Sequence, residues 1–411
     1  MTDDDGRTPR RALVALAATL AIQVYTSLAA TATAVLAPVI GPAFGVSPKL
    51  VGVFVGLVYA GSMAASLAAG GLIGRFGAIR VSQGCVLLCA AGLVALPLAA
   101  PWPFALAAAA LAAVVVGLGY GPITPASSQV LARTAPPSRM ALTFSIKQTG
   151  VPAGAALAGA VLPALALATD WRVALATVAG TGAAVALAAQ RVRADFDHER
   201  DRSRRVSLRE SFGLLRQVFA DRALAELTLL SFFYSATQVS LTSFLVAYLA
   251  EQLGRPLVVA GAALSIATLA GVGGRILWGH VADRTRSPRA VLAILGIGAG
   301  LCSLATAAWP VDASVWPLFV VLALFGASAI GWNGVMLADV ARLSPPGRAG
   351  AITGATSFVT FAGVVCGPSV FSLLAATAGS YRAGFVAIGL GSLLSALAFA
   401  ARSRASPKSR G

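Results

Sequence analysis

Gly279-His280-Val281-Ala282-Asp283-Arg284 is a diverged copy of Gly70-Gly71-Leu72-Ile73-Gly74-Arg75, 209 residues earlier. The same offset carries Pro136-Pro137-Ser138-Arg139 onto Pro345-Pro346-Gly347-Arg348, and an offset of 210 carries Trp171-Arg172 onto Tyr381-Arg382. Three landmarks at one spacing mean a duplicated scaffold whose repeat is about half the chain.

Composition says what that scaffold is made for. Of 411 residues, 57% are hydrophobic and only 11% charged, against about 25% charged in soluble proteins. The mean hydropathy is +0.82. So little polar surface excludes a water-soluble domain and predicts an integral membrane protein. Spans of about 20 apolar residues fall at roughly 12–40, 48–70, 79–99, 103–131, 139–165, 171–190, 223–250, 256–281, 288–308, 314–341, 348–377 and 382–401. The fold class is all-α, with twelve transmembrane helices in two pseudo-symmetric halves. The expected domains are a six-helix bundle over 1–190, a linker over 191–222, and a second bundle over 223–411.

The net charge of +16 sorts by side. Arg75 and Arg80, Arg133 and Arg139, Arg284 to Arg289, Arg342 and Arg348, the termini and the linker share one face. Lys49, Arg172, Arg255 and Arg382 take the other. This bias predicts both termini on the cytoplasmic side of an inner membrane, and it explains the high pI without nucleic acid. Arg10-Arg11 before an apolar run resembles a signal peptide, but the run is too long and reads as a retained first span. The linker mixes Arg with Asp and Glu, including Asp195, Asp197, Glu199 and Asp201, then turns amphipathic from Ser207 to Phe219. It reads as a topological anchor able to lie on anionic lipid. Cys85, Cys89, Cys302 and Cys366 sit in apolar runs, remote from His198 and His280, so neither a metal nor another cofactor is expected.

Along essentially its whole length the chain resembles the major facilitator superfamily. The motif Gly279-x-x-x-Asp283-Arg284 is similar to that family's signature between spans 8 and 9. The first copy keeps Gly70, Arg75, Gly77 and Arg80 but has Gly74 where the family carries Asp. If that Asp latches a gate, the first latch is weakened or built differently. The resemblance implies gating residues Gly70, Arg75, Gly279, Asp283 and Arg284. It also implies spans 1, 4, 7 and 10 around a central cavity, a seam where spans 5 and 8 meet, and alternating access by a functional monomer.

Two cations break the repeat. Of only three lysines, Lys49 and Lys408 fall in a loop and a tail, whereas Lys147 lies within a span and maps onto Thr356. Arg275 maps back onto Ser66. Each lies eight residues from a span-end charge, Arg139 or Asp283, or about 12 Å into the core. A charge at such depth is a functional-site hypothesis by default. Thr143, Lys147, Gly150 and Gly154 share one stripe, as do Thr268, Gly271 and Arg275, so both cations should face protein. Glu226, Glu251, Asp283 and Asp339 fall toward span ends and Asp170 in a loop. With spans 5 and 8 meeting as the resemblance implies, a bound anion would relieve two neighbouring cations.

The expected function is therefore secondary transport of a small organic anion, a carboxylate, coupled to protons or run by exchange. The arginine in Arg275-x-x-x-Gly279 looks like that of the monocarboxylate and oxalate/formate branches, where it contacts the carboxylate. The alternative is a proton-driven drug or metabolite exporter. The bland readings are that Arg275 bonds helix carbonyls and that Lys147 snorkels to the surface. Further candidates are Gln148, Gln23 and Thr26 on span 1, Tyr120 on span 4, Tyr234 and Gln238 on span 7, and Trp332 and Asn333 on span 10. No clustered His, Asp or Cys constellation and no P-loop is present, so neither an enzyme nor an ATP-driven pump is expected. Gly117 to Pro122 and Gly363-x-x-x-Gly367-Pro368 read as bends in spans 4 and 11, or as packing notches.

Overall fold

Apolar runs of this length have one way to satisfy their backbone in lipid, the helix. The computed structural model describes residues 9–45, 51–99, 104–198, 200–201, 203 and 206–404. Lys49, Glu199 and Lys408 lie outside the described residues. Among the described residues no strand forms, and twelve helices are long and apolar enough to cross a membrane. Spans 1 to 6 are Pro9–Val35, Gly52–Phe76, Ala78–Leu98, Ala105–Thr134, Pro137–Ala168 and Trp171–Gln190. Spans 7 to 12 are Arg222–Gln252, Leu257–Thr285, Pro288–Ala307, Val315–Leu343, Ala349–Ala378 and Tyr381–Arg402. The fold is the all-helical, twelve-span architecture expected.

The chain divides into two compact units. One holds residues 1–136, 147–220 and 340–358; the other holds 137–146, 221–339 and 359–411. The short segments 137–146 and 340–358 thus each pack with the unit built mainly from the opposite sequence half. The cause is visible in their partners. The start of span 5 is capped by Asp283 of span 8, and the start of span 11 is held by Gln129 of span 4.

Within each unit, glycines let helix backbones approach where lipid supplies no hydrophobic drive. In the first unit, methyls on Gly117 and Gly121 would strike the Val58 and Ser62 carbonyls of span 2, and one on Gly154 would strike the Val24 carbonyl of span 1. In the second, one on Gly326 would strike the Ala267 carbonyl of span 8. Span 4 breaks at Gly121–Pro122, as its Gly-Pro sequence suggested. Span 11 instead runs unbroken through Pro368. Its Gly363 and Gly367 are notches against Phe232 and Ala236 of span 7. Further breaks occur at Thr149 in span 5, where Pro152 offers no amide to the Gln148 carbonyl, and at Ile330 to Trp332 in span 10, which has no proline.

The linker is more than a tether. Asp197 accepts hydrogen bonds from the Ile79 and Arg80 amides at 2.8 and 2.9 Å, which fills the open N-terminus of span 3. Gly77, at φ +92°, makes the room, because a Cβ there would overlap the Asp197 carboxyl. Burial pushes the Asp197 carboxyl above its ordinary range, against the two amide bonds and the charges of Arg193 and Arg200. Asp197→Ala leaves two buried amides open and should cost about 2 kcal/mol, read as a fall in melting temperature in detergent. Because the folded carboxyl titrates above its unfolded value, native stability should decline as pH rises from the ordinary carboxylate range through the raised one. Asp197→Asn should lack that decline, and an identical pH profile would contradict this account.

Candidate functional site

Lys147 lies in the last turn of the first half of span 5, two residues before the break at Thr149. Gly150 and Gly154 press the second half of the span onto span 1, and the close approach brings Gln23 to the lysine. The ammonium donates to Gln23 Oε1 at 2.6 Å, to Gln148 Oε1 at 3.0 Å and to Thr124 Oγ1 at 3.5 Å. The side chain is 1% exposed, so it does not snorkel. These three oxygens orient the N–H donors of the ammonium. The sequence had singled out Lys147, Gln148 and Gln23. Thr124 it missed, for a threonine after Gly121-Pro122 looks like any hydroxyl beside a kink.

The remaining first-unit candidates divide. Thr26 is buried but bonds the Ile22 and Gln23 carbonyls of its own helix. Tyr120 closes the first half of span 4 and is half-buried. Gly70 packs against Ala351, and Arg75 lies 5.3 Å from the centre of the Phe76 ring.

In the second unit Arg275 is 2% exposed. Gly271 and Gly274, on its face of span 8, abut Ile330 and Ala327 of span 10. Its Nε donates to the Ile330 carbonyl at 3.1 Å, where span 10 breaks and a helix carbonyl needs a partner. Beyond the break, Trp332 Nε1 donates to Gln238 Oε1 at 3.1 Å, and the Tyr234 ring meets Trp332 edge-on at 5.6 Å. The Tyr234 hydroxyl is directed to span 9, donating to the Leu292 carbonyl at 2.6 Å. Asn333 opens the second half of span 10 and is half-buried. Gln238, Trp332 and Tyr234 therefore form one linked group on spans 7 and 10, while Arg275 of span 8 is tied to the break just before Trp332.

Of the second-unit gating candidates, Asp283 is the most engaged. Its two oxygens accept the Ala141 and Leu142 amides at 3.0 and 2.8 Å, at the start of span 5. Gly279 packs on Ser145, and Arg284 is exposed. Among the described residues no group of three His, Cys, Asp or Glu is placed to hold a metal ion.

The family model described as Major Facilitator Superfamily matches residues 19–368. No curated protein matches the chain significantly in sequence. Solved structures do. The E. coli fucose:proton symporter shares 17% identity at a TM-score of 0.75, over 96% of this chain and 99% of its own. A bacterial homologue of the iron transporter ferroportin, outward-facing, shares 19% at 0.74, over 96% and 100%. The human organic anion transporter shares 17% at 0.73, over 95% and 100%. At such identities the likeness speaks for the fold alone.

Proposed function

The chain belongs to the major facilitator superfamily, and from that premise we propose that it is a secondary transporter of a small organic carboxylate, with Lys147 as the residue that meets the anion. One observation carries this reading: a lysine 1% exposed inside an apolar span, its ammonium oriented by Gln23, Gln148 and Thr124. A buried ammonium deep in an apolar span is a ready partner for a mobile anion. A carboxylate can take over the long Thr124 contact on binding and give it back on leaving, which keeps binding reversible.

Arg275 is proposed as a second anion-binding cation. Its Nε is committed to Ile330, and the guanidinium carries donors beyond that one. The arginine bias of the loops supports placing both termini in the cytoplasm and the protein in an inner membrane.

Counterflow tests the substrate. Purified protein goes into vesicles loaded with one unlabelled mono- or dicarboxylate, and accumulation of the labelled compound is followed. At least one carboxylate should accumulate, and accumulation should collapse in Lys147→Ala. Native transport of carboxylates by that variant, or accumulation of hydrophobic cations instead, would overturn the proposal. A pH-sensitive dye sealed in the vesicles separates the coupling modes. Internal acidification that follows the carboxylate gradient means proton symport, and a steady pH means exchange.

A further inference from the structure

The starts of spans 5 and 11 are repeat counterparts, Met140 corresponding to Ala349 and Ala141 to Gly350 at the 209-residue offset. Each helix start exposes amide donors with no partner in their own helix. Asp283 serves Ala141 and Leu142. By the same offset, the residue that should serve span 11 is Gly74, which has no side chain. Its place is filled from elsewhere. Gln129 of span 4 accepts the Gly350 amide on Oε1 at 2.7 Å and donates from Nε2 to the Gly347 carbonyl at 2.8 Å.

We infer that Gln129 is an uncharged latch that joins span 4 of the first repeat to span 11 of the second, standing in for the acid absent at position 74. The counterpart of Gln129 at the offset is Ala338, so the second repeat carries no such amide. The fit is built around it. Gly350 is the one residue type that admits the amide, since a methyl there would lie 3.0 Å from Gln129 Cβ and 2.9 Å from the Pro125 carbonyl. Gln129 itself is 6% exposed. It also lines a cavity of about 650 Å³ with Arg133, His198 and Gly347, so water can replace both of its bonds when spans 4 and 11 part.

Alternating access parts the repeats at each end in turn, and a bond joining spans 4 and 11 resists that parting. Bonds to charged groups are worth about twice those between neutral ones. The latch made by Gln129 is therefore the weaker of the two helix-start devices. It also carries no titratable group. Gln129 is thus a positioning residue for the transport cycle, acting through span 11.

Hydrogen exchange at the amides of residues 349–353 tests this without any substrate, so its result stands apart from that of the carboxylate reading. Gln129→Ala should speed exchange there by about 10-fold, the size of one neutral hydrogen bond, while spans away from the latch are unaffected. Adding Gly74→Asp to that variant should restore protection. Restoration should vanish as pH falls through the carboxylate range, about pH 4, whereas native protection, corrected for intrinsic rates, stays flat. Unchanged exchange in Gln129→Ala, a uniform loss over the whole chain, or no restoration by Gly74→Asp would each overturn the inference. Should Gln129→Ala fail to fold, Gly74→Asp alone in the native chain should add pH-dependent protection at 349–353, and none appearing counts against it equally.

Discussion

Lys147→Met is expected to abolish carboxylate counterflow, at least about 100-fold, while leaving melting temperature unchanged or higher. The two effects come from the same burial. Removing one partner of a buried charge pair costs about 3–5 kcal/mol, and each 1.4 kcal/mol is a factor of about ten in affinity. The bound anion loses its charge partner and suffers that full cost. In the empty protein the substitution removes bonds to Gln23, Gln148 and Thr124, and none of these three is left as a stranded charge. Their amides can bond one another once the ammonium is gone, and methionine fills nearly the same volume. Lys147→Arg should also fail, since a planar fork cannot satisfy three acceptors arranged around one point. A structural lysine would give the reverse pattern: a Met variant that melts early and still transports.

Arg275 calls for a finer pair of variants, because its Nε already bonds the Ile330 carbonyl. Arg275→Ala should lower both melting temperature and transport. It strands a carbonyl at the break in span 10, costing about 1–3 kcal/mol, and removes a buried charge. Arg275→Gln separates the two, as an amide can still donate to Ile330 but carries no charge. The expected result is a glutamine variant with native melting temperature and counterflow reduced by at least about 100-fold, on the same arithmetic as for Lys147. Native transport by Arg275→Gln would show that the arginine is a pin for span 10 and nothing more.

How far the sequence reached can be judged residue by residue. That Lys147 and Arg275 lie within long apolar helices was legible, because apolar length is a local sum. Their exclusion from lipid was legible too, from Gly150 and Gly154 beside the one and Gly271 beside the other. The partner of Arg275 was foreseeable only as a type, a helix carbonyl, and not as Ile330. The breaks at Thr149 and at Ile330 to Trp332 had only indirect signs, Pro152 three residues on in span 5 and, in span 10, Gly331 as the repeat counterpart of Pro122. Conversely Pro368 announced a bend where the helix runs on, with Gly363 and Gly367 serving as notches. Gln129 drew no notice in the sequence and Asp197 read as one charge of a mixed linker, and both hold the starts of distant helices.

The division has a physical origin. Membrane partition is a sum over about twenty consecutive residues, and loop charge bias is a sum over short segments. Both are local in the chain, so the sequence alone determined the twelve spans and, through the 209-residue offset, the duplication. Which groups meet depends on the rotation of each helix about its axis and on partners far away in sequence. Gln23 reaches Lys147 across 124 residues, and Gln129 reaches Gly350 across 221. Small-residue stripes narrowed that rotation but did not name the partner, which only close packing between helices could decide.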